Sequence, residues 1–366
     1  MTKTKKIIPR RPLKRRLIKF FAVLLIVVAV PVLLGSVYFS RHEIGEVTEY
    51  NWNPESDAVE ERDYLTISAD KDEFRILQLS DLHLTFGGWP GDSTTFKFVN
   101  ALISETKPDL VVFTGDVTMT IFNSRMFELL GEKVMSKFPD VYWTFAFGNH
   151  DTWGKADKAK LCNILDGFDN CMFLSGATNL GGEGNDKPLG NFAINIEYED
   201  NFAYSVIIMD SGRQSDYGYG YVTETQVKWY EWIAGKLHNF NPNLKSSLFM
   251  HIPLFECKES YEKNGVTDGV KSEKINVQGR NTGLYAKAVT LNFTEFFGFG
   301  HDHKNTFSTI TEDGIMLAYG GVSGFLAYGF NFARCGRIID VDLSSGSIFS
   351  SGIANTKIIT TDDFEW

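Results

Sequence analysis

Short apolar runs alternate with amphipathic segments along the middle of the chain. Residues 64–68 (YLTIS) and 74–80 (FRILQLS) are rich in apolar and β-branched side chains and are separated by a turn-rich segment, which is typical of β-strands. Residues 95–106 have apolar side chains at helical spacing and lead into the apolar run 110–114. This alternation predicts an α/β or mixed fold. Further elements are predicted over 126–138 and 224–237 (helices), and over 141–147, 193–197, 204–209, 247–250 and 296–298 (strands).

A long uncharged run precedes this alternating region. Residues 20–40 (FFAVLLIVVAVPVLLGSVYFS) carry no charge, and a helix needs about 20 such residues to cross the hydrocarbon core of a bilayer. The segment before it, 1–19, carries nine Lys and Arg and no acidic residue. Because basic residues accumulate on the cytoplasmic side, we expect the chain after residue 41 to lie outside. A secretory signal peptide is the alternative, although its apolar region is usually roughly 7–15 residues long.

These patterns predict a folded domain held at the cell membrane, on its extracytoplasmic side. In the chain after Lys19, the basic side chains number 27 and the acidic ones 46, a formal charge of −19. Such a domain repels polyanions, so we expect no nucleic-acid partner. No CxxC pair occurs, and a disulfide between Cys162 and Cys171 stays open. The predicted segments are a basic segment (1–19), a transmembrane anchor (20–40), a linker (41–61), a large folded domain (62–356) and a tail (357–366).

Acidic, amide and imidazole side chains follow the ends of the predicted strands. Five of the seven histidines of the chain belong to this set. Ligand sites in α/β sheets gather at the carboxyl ends of strands, so we expect these side chains to line one pocket. The set consists of Asp81, His83, Asp116, Asn149, His150, His251, His301 and His303.

This combination of side chains predicts a pair of metal ions. Imidazole and carboxylate groups bind Mn, Fe or Zn, and one carboxylate can bridge two ions because each of its oxygens can bind one. We expect Asp116 to be that bridge. Two ions roughly 3.5–4 Å apart can hold a phosphate, lower the pKa of a bound water towards about 7 and offset the charge of in-line displacement. The predicted activity is therefore hydrolysis of phosphate esters.

The order of the motifs resembles that of the calcineurin-like metallophosphoesterase superfamily. The motifs are DLH at Asp81, GD at Gly115, GNHD at Gly148, a histidine at His251 and GHDH at Gly300. The resemblance covers about residues 62–345, and the runs SDLHL, VVFTGD, FGNHD and HIPL look most similar to the fungal and plant group related to purple acid phosphatases. It implies a mixed α/β fold, with a sandwich of two β-sheets flanked by helices and a metal centre at the strand ends.

The resemblance also implies a role for each motif residue. It leaves His150 free of metal, to stabilise the transition state or protonate the leaving alkoxide, with Asp151 beside it to orient and charge its ring. It implies seven ligands divided between two ions that share one carboxylate: Asp81, His83, Asp116 and His303 for the first, and Asp116, Asn149, His251 and His301 for the second.

Two positions depart from the pattern of true purple acid phosphatases. That group has glycine two residues after the first aspartate and tyrosine three residues after the second, where this chain has His83 and Met119. No tyrosinate is available at that position to ligate ferric iron. We therefore expect a pair of Mn, Fe or Zn ions.

The leading functional hypothesis is a phosphomonoesterase with an exported or external substrate. A phosphodiesterase with the same metal centre is a close alternative, because the two activities differ in pocket walls that the sequence does not reveal. A catalytically silent binding protein with the same fold is the alternative from another class. Four segments are candidates for the rim of the substrate cleft, with ordinary surface loops as the alternative: residues 210–212 (DSG), the Tyr/Gly run 217–221, the polar insertion 256–280 and residues 320–325 (GGVSGF).

Overall fold

The computed structural model describes residues 43–366 except for 57, 58, 60, 61, 89 and 183–185. Residues Ile44–Trp366 form one compact unit. The predicted basic segment and the predicted anchor, residues 1–40, lie outside the described residues. Within the described part, no helix is both long enough and apolar enough to cross a membrane.

The described elements alternate between strands and helices. The helices are α1 (Pro90–Thr106), α2 (Asn123–Lys133), α3 (Lys158–Asp166), α4 (Glu224–Phe240), α5 (Phe255–Asn264) and α6 (Leu284–Leu291). The strands are β1 (Tyr64–Ser68), β2 (Glu73–Leu79), β3 (Leu110–Phe113), β4 (Tyr142–Phe145), β5 (Phe192–Tyr198), β6 (Asn201–Ile208), β7 (Gln214–Ser215), β8 (Gly218–Tyr219), β9 (Lys245–Phe249), β10 (Thr294–Phe299), β11 (Ser308–Ile310), β12 (Met316–Tyr319), β13 (Cys335–Asp342), β14 (Phe349–Ser350), β15 (Ile353–Ala354) and β16 (Thr356–Thr360).

Two large sheets organise these strands. One has seven strands in the order β1-β5-β6-β9-β10-β12-β11, and the other has five in the order β16-β13-β2-β3-β4. Strands β2, β3 and β4 are parallel to one another, and β9 is parallel to β10. Because parallel strands end at the same edge of a sheet, each sheet presents a group of loops at its carboxyl edge.

The two sheets pack against each other, and helices cover their outer faces. Alternate residues of a strand point to opposite faces, so Ile196 of β5 joins the core that also holds the five-stranded sheet and Val99 of α1. Phe297 of β10 points the other way and packs in a second core with Trp229 of α4. The predicted mixed α/β class is confirmed.

Several boundaries differ from those predicted. Helix α2 ends at Lys133 and is followed by a 3-10 turn, Met135–Lys137, where a helix to residue 138 was expected. Helix α3 was not predicted, although the Asp157 side chain caps it by accepting from the backbone N–H of Lys160 at 2.8 Å.

Two segments at the edges of the expected domain (62–356) also pack on the folded unit. Residues 356–360, divided between the domain and the tail by the sequence analysis, pair with β13 as strand β16. In the expected linker, Trp52 is buried and its ring lies 6.0 Å from that of Trp232. Both segments therefore pack on the folded unit, because they contain apolar side chains that the sheets and helices bury.

Candidate metal centre

The eight candidate residues lie directly after strands of the two sheets. Asp81 and His83 follow β2, Asp116 follows β3, Asn149 and His150 follow β4, His251 follows β9, and His301 and His303 follow β10. Six of them line one cavity of about 380 Å³: His83, Asp116, Asn149, His150, His301 and His303. The structure therefore brings the predicted set together, at the point where the carboxyl edges of the two sheets meet.

The first cluster of ligand atoms surrounds one oxygen of Asp81. His303 Nε2 lies 3.2 Å from Asp81 Oδ1, and His83 Nε2 lies 3.6 Å from the same oxygen. His83 Nε2 is also 3.7 Å from Asp116 Oδ2. Ligand atoms of Asp81, His83 and His303 lie within 4.8 Å of one another, so these three side chains could hold one metal ion.

The second cluster surrounds His251 Nε2. This nitrogen lies 3.2 Å from Asp116 Oδ2, 3.1 Å from Asn149 Oδ1 and 3.3 Å from His301 Nδ1. The other ring nitrogen, Nδ1, is 2.8 Å from the carbonyl oxygen of Thr114. A carbonyl only accepts, so Nδ1 carries the proton in the neutral ring and the lone pair of Nε2 faces the cluster.

The two clusters fit metal ions for a further reason. Asp81 Oδ1 and His83 Nε2 are buried and have no hydrogen-bond partner among the described residues. A buried polar atom without a partner destabilises a folded protein. A metal ion bound between Asp81 Oδ1 and His83 Nε2 would give both atoms a partner. Oxygen and imidazole ligands together suit Mn, Fe or Zn.

The charges of the site are set by close contacts between carboxylates and imidazoles. Burial disfavours the charged form of Asp81 and Asp116, but the neighbouring histidines outweigh it and hold the pKa of both carboxyls below the usual range. Burial opposes protonation of His251, yet Asp116 raises its pKa to about 10. Burial and the adjacent His251 lower the pKa of His301 to about 3. One imidazole of the second cluster is thus charged at neutral pH and the other is neutral.

The backbone of the site is strained. Asp81, His83, Asp116 and His301 have φ between 47° and 78°, in the left-handed region that non-glycine residues rarely adopt. Among the neighbouring glycines, a Cβ at position 148 would overlap Asp116, and one at position 300 would overlap the Ser80 hydroxyl. Glycine is therefore required at position 300 for the close approach of the loop after β10 to Asp81.

Asp151 is buried and binds backbone, not the His150 ring. Its Oδ2 accepts from the N–H groups of Asp116 at 2.9 Å and Gly148 at 2.8 Å, and its Oδ1 accepts from Thr118 N–H at 3.1 Å. Among the described residues, Asp151 makes no hydrogen bond or ion pair with the His150 imidazole. The expectation that Asp151 orients the His150 ring is therefore corrected. The Asp151 carboxylate instead accepts backbone hydrogen bonds from the loops after β3 and β4, and so holds these two loops together.

His150 lies beside both clusters. Its Nε2 is 3.8 Å from Asp116 Oδ2, and its Nδ1 has no hydrogen-bond partner among the described residues. Its backbone N–H donates to Asp116 Oδ1 at 2.8 Å. Burial lowers its pKa, so the ring is mostly neutral at pH 7 in the metal-free protein. His150 is placed to contact a phosphate held at the two clusters.

The sequence profile of the calcineurin-like phosphoesterase family matches residues 74–305, a span that contains every candidate ligand and His150. The chain belongs to this family. The resemblance predicted from the motifs is therefore confirmed. Members of the family bear dinuclear metal centres, in agreement with the two clusters described above.

Relatives of this calcineurin-like phosphoesterase include plant and fungal proteins. "Probable inactive purple acid phosphatase 29" of Arabidopsis thaliana is 27% identical over 74% of this chain and 77% of that protein. "Probable inactive purple acid phosphatase 28" from the same plant is 26% identical over 80% of each chain. "Phosphatase DCR2" of Saccharomyces cerevisiae is 29% identical over 69% of this chain and 48% of that protein. The predicted similarity to proteins related to purple acid phosphatases is confirmed.

Solved structures with a similar chain trace include two phosphatases. A dimetal phosphatase from Danio rerio is 12% identical, with a TM-score of 0.49 over 78% of this chain and 98% of that chain. The purple acid phosphatase PPD1 from yellow lupin is 14% identical, with a TM-score of 0.41 over 80% of this chain and 55% of that chain.

Three exposed aromatic rings pack on the imidazoles of this calcineurin-like phosphoesterase. The ring centroid of Trp153 lies 3.9 Å from that of His150, and that of Tyr219 lies 4.4 Å from that of His301. Tyr328 stacks on His303 at 3.8 Å. Tyr219 belongs to the Tyr/Gly run that was a candidate for the rim. Sequence reasoning did not find Trp153 or Tyr328, and the signal available for Trp153 was its place two residues after the GNHD motif.

The side chains of Asn276 and Asp302 also line the metal cavity. Asn276, from the polar insertion, donates from its side chain to Asp302 Oδ1 at 2.6 Å and from its backbone N–H to Oδ2 at 3.0 Å. Tyr319 also donates to Asp302 Oδ2, at 2.6 Å. These bonds fix the loop that carries His301 and His303. Met119, which occupies the place of the tyrosine in the purple acid phosphatase pattern, lines the cavity. Its sulfur lies 3.3 Å from His83 Nδ1.

Proposed function

We propose that this protein hydrolyses phosphate monoesters with two metal ions held by Asp81, His83, Asp116, Asn149, His251, His301 and His303. The observation that carries the proposal is the convergence of ligand atoms on two points that share Asp116: one at Asp81 Oδ1 and one at His251 Nε2. When bound, a metal pair would supply the positive charge that offsets the phosphate and acidifies a water. The identity of the ions, among Mn, Fe and Zn, would follow from supply.

The chain's own side chains would position the ions and the ester. Asp116 lies between the two clusters and its Oδ2 faces both, so this carboxylate could hold both ions. His150 is next to Asp116 with one ring nitrogen unpaired, and that N–H could donate to a phosphoryl oxygen or to the leaving oxygen. Asp151 would act at one remove, by holding the loops that carry Asp116 and His150.

Two other functions remain candidates. A phosphodiesterase would use the same ligands and differ only in which ester fits the cavity. A silent binding protein is favoured by the word "inactive" in the names of two Arabidopsis relatives. The ligand set supports activity, because both clusters and the unpaired His150 are present.

We also propose that residues 20–40 anchor the enzyme in the cell membrane, with residues 44–366 on the extracytoplasmic side. The support is the uncharged run and the nine basic residues before it. Protease added to intact cells should then remove the folded unit. Complete protection of that unit would contradict the orientation, and a mature N-terminus after residue 36 would contradict the anchor.

The activity is tested with the full chain purified in mild detergent and loaded with Mn²⁺, Zn²⁺ or Fe²⁺. We expect two ions per chain and faster hydrolysis of an aryl phosphate monoester than of the matching aryl methyl diester. A preference for the diester would favour the phosphodiesterase. Two tightly bound ions without hydrolysis of either ester would favour the silent binding protein.

A further inference from the structure

A second cavity adjoins the candidate metal centre. It has a volume of about 410 Å³ and shares Asn149, His150 and Tyr219 with the metal cavity. Its other lining residues are Trp153, Arg213, Gln214 and Gly218. A group bound in this cavity would therefore lie against His150 and Tyr219, which also border the metal ligands.

Arg213 is the only lysine or arginine that lines either cavity within the described part of the chain. It is half-buried. The remaining lining residues are neutral or acidic, apart from imidazoles that belong to the candidate metal centre. Arg213 therefore brings a permanent positive charge to a site where the protein's own carboxylates are already engaged.

Arg213 also differs from every other arginine in the described residues. Its guanidinium makes no hydrogen bond or ion pair with them, whereas Arg75, Arg125, Arg280 and Arg337 pair with carboxylates. Arg334 donates to backbone carbonyls and Arg62 lies over the Tyr50 ring. A half-buried guanidinium with five donors and no partner is free to bind an anion from outside.

The charge of the rest of the domain makes such a group useful. Most of the chain is acidic, with a formal charge of −19 after Lys19. An anionic substrate is repelled by this field unless local cations counter it. Beyond the metal centre, Arg213 is the local cation that the cavities provide.

We propose that Arg213 binds a second anionic group of the substrate, so that the preferred substrates are phosphate esters bearing a carboxylate or another phosphate on the alcohol. This inference rests on the proposed hydrolysis at the metal centre and names its substrate class. The guanidinium would donate to the second anion in the adjoining cavity, with Trp153 and Tyr219 as walls beside the linking part of the alcohol. The reacting phosphate would stay at the metal ligands.

The test measures binding, not turnover, so that an inactive preparation still gives an answer. The probes are ω-phosphonocarboxylates of increasing chain length, each compared with the alkylphosphonate of the same length, titrated calorimetrically into the metal-loaded full chain. The phosphonate stands in for the reacting phosphate and is not hydrolysed. At the best chain length, a charge-assisted bond to Arg213 should make the carboxylate probe bind about 10–100-fold more tightly.

Arg213→Gln should abolish this preference and leave the Kd of the alkylphosphonate within about twofold of the wild-type value. Arg213→Lys, which keeps the charge and loses the planar fork, should retain part of the preference. The matched control is Arg125→Gln, which removes the same charge from the exposed surface of α2 and should retain all of it.

Three results would overturn the inference. No preference for the carboxylate at any chain length in the wild type would exclude a second anion site. Equal weakening of both probes by Arg213→Gln would place Arg213 on the reacting phosphate, and the proposed hydrolysis would still stand. Failure of the metal-loaded wild type to bind any of the probes would overturn the proposed function, and the inference with it.

Discussion

The two sheets contribute different chemistry to the candidate metal centre. The loops after β2, β3 and β4 supply both carboxylates and the amide, whereas the loops after β9 and β10 supply imidazoles alone. We call the loops after β2, β3 and β4 the first half of the site, and those after β9 and β10 the second half. In the first half, the Asp81 carboxylate is held by short hydrogen bonds: its Oδ2 accepts from the Ser80 hydroxyl at 2.6 Å and from His301 N–H at 3.1 Å.

Imidazoles of the second half are held in another way, by the Thr114 carbonyl and by the stacked ring of Tyr328. Each proposed ion draws ligands from both halves. The difference shows that the five-stranded sheet provides the negative charge of the site, and the seven-stranded sheet completes the coordination around it. Substitution of Asp116, the carboxylate that lies in both clusters, should therefore remove metal from both positions.

Asp116→Asn tests this most severely, because Asp116 lies in both clusters. We expect bound metal to fall by more than one ion per chain and the rate of ester hydrolysis to fall by more than about 10²-fold. Metal content is measured by elemental analysis beside the control Asp362→Asn, an exposed position. Two tightly bound ions with normal turnover in Asp116→Asn would show that Asp116 is not the bridge.

His150→Ala should separate chemistry from metal binding, since His150 belongs to the first half but is not a proposed ligand. We expect both ions to be retained and the hydrolysis of an alkyl phosphate to slow by roughly 10²–10⁴-fold. A nitrophenyl phosphate, whose leaving group needs little protonation, should slow less if His150 acts mainly as an acid.

Burial lowers the pKa of His150, which favours the neutral ring at neutral pH. If that ring only donates a hydrogen bond to the phosphoryl oxygens, both substrates should slow equally. Comparison of the two rate losses distinguishes the two roles. Full turnover of both substrates, or loss of the metals, would remove His150 from the mechanism.

Asp151→Asn tests whether the first half depends on its backbone bonds. The amide keeps one acceptor oxygen and turns an N–H₂ group towards backbone donors, so at least one buried N–H loses its partner. We expect the free energy of unfolding to fall by about 1–3 kcal/mol and activity to fall by about 10–100-fold. Urea denaturation of the metal-free protein measures the first effect. Unchanged stability would show that the three N–H bonds do not hold the loops.

Metal binding by the imidazoles of the second half should release protons. With a pKa raised from the usual 6.5 to about 10, His251 carries a proton at neutral pH that must leave before Nε2 can bind a metal. Apparent metal affinity should therefore rise by up to about tenfold per pH unit and level off above about pH 10.

The same raised pKa stabilises the metal-free fold. That contribution is complete below about pH 6.5 and is lost as the pH rises through about 10. Calorimetry in buffers of different ionisation enthalpy counts the protons released when metal binds. Binding without proton release at neutral pH would contradict the charged state of His251.

The sequence predicted the positions of the ligands better than the surroundings that hold them. The strands before Asp81, Asp116, Asn149 and His251 are short apolar runs, and such runs give a local signal that a single sequence carries. The role of Asp151 could not be predicted in this way, because it depends on contacts with a loop that is distant along the chain and follows a different strand.

The positions of the side chains that line the two cavities also depend on tertiary contacts. Arg213 and Tyr328 come from loops without periodicity, and only the fold brings Arg213 beside Asn149 and Tyr328 onto the ring of His303. Strand β16 was missed because it is only five residues long, and its pairing with β13 is a tertiary contact that a local pattern does not reveal.

The four left-handed residues in the site have a consequence for how the protein takes up metal. Asp81, His83, Asp116 and His301 hold unfavourable backbone angles that only the surrounding sheets can impose. The free energy of folding therefore holds these backbone angles, and the ligands are in place before an ion binds. Unlike a zinc finger, which is unstructured until metal binds, this protein should stay folded under chelation and select ions by the fixed spacing of its ligands.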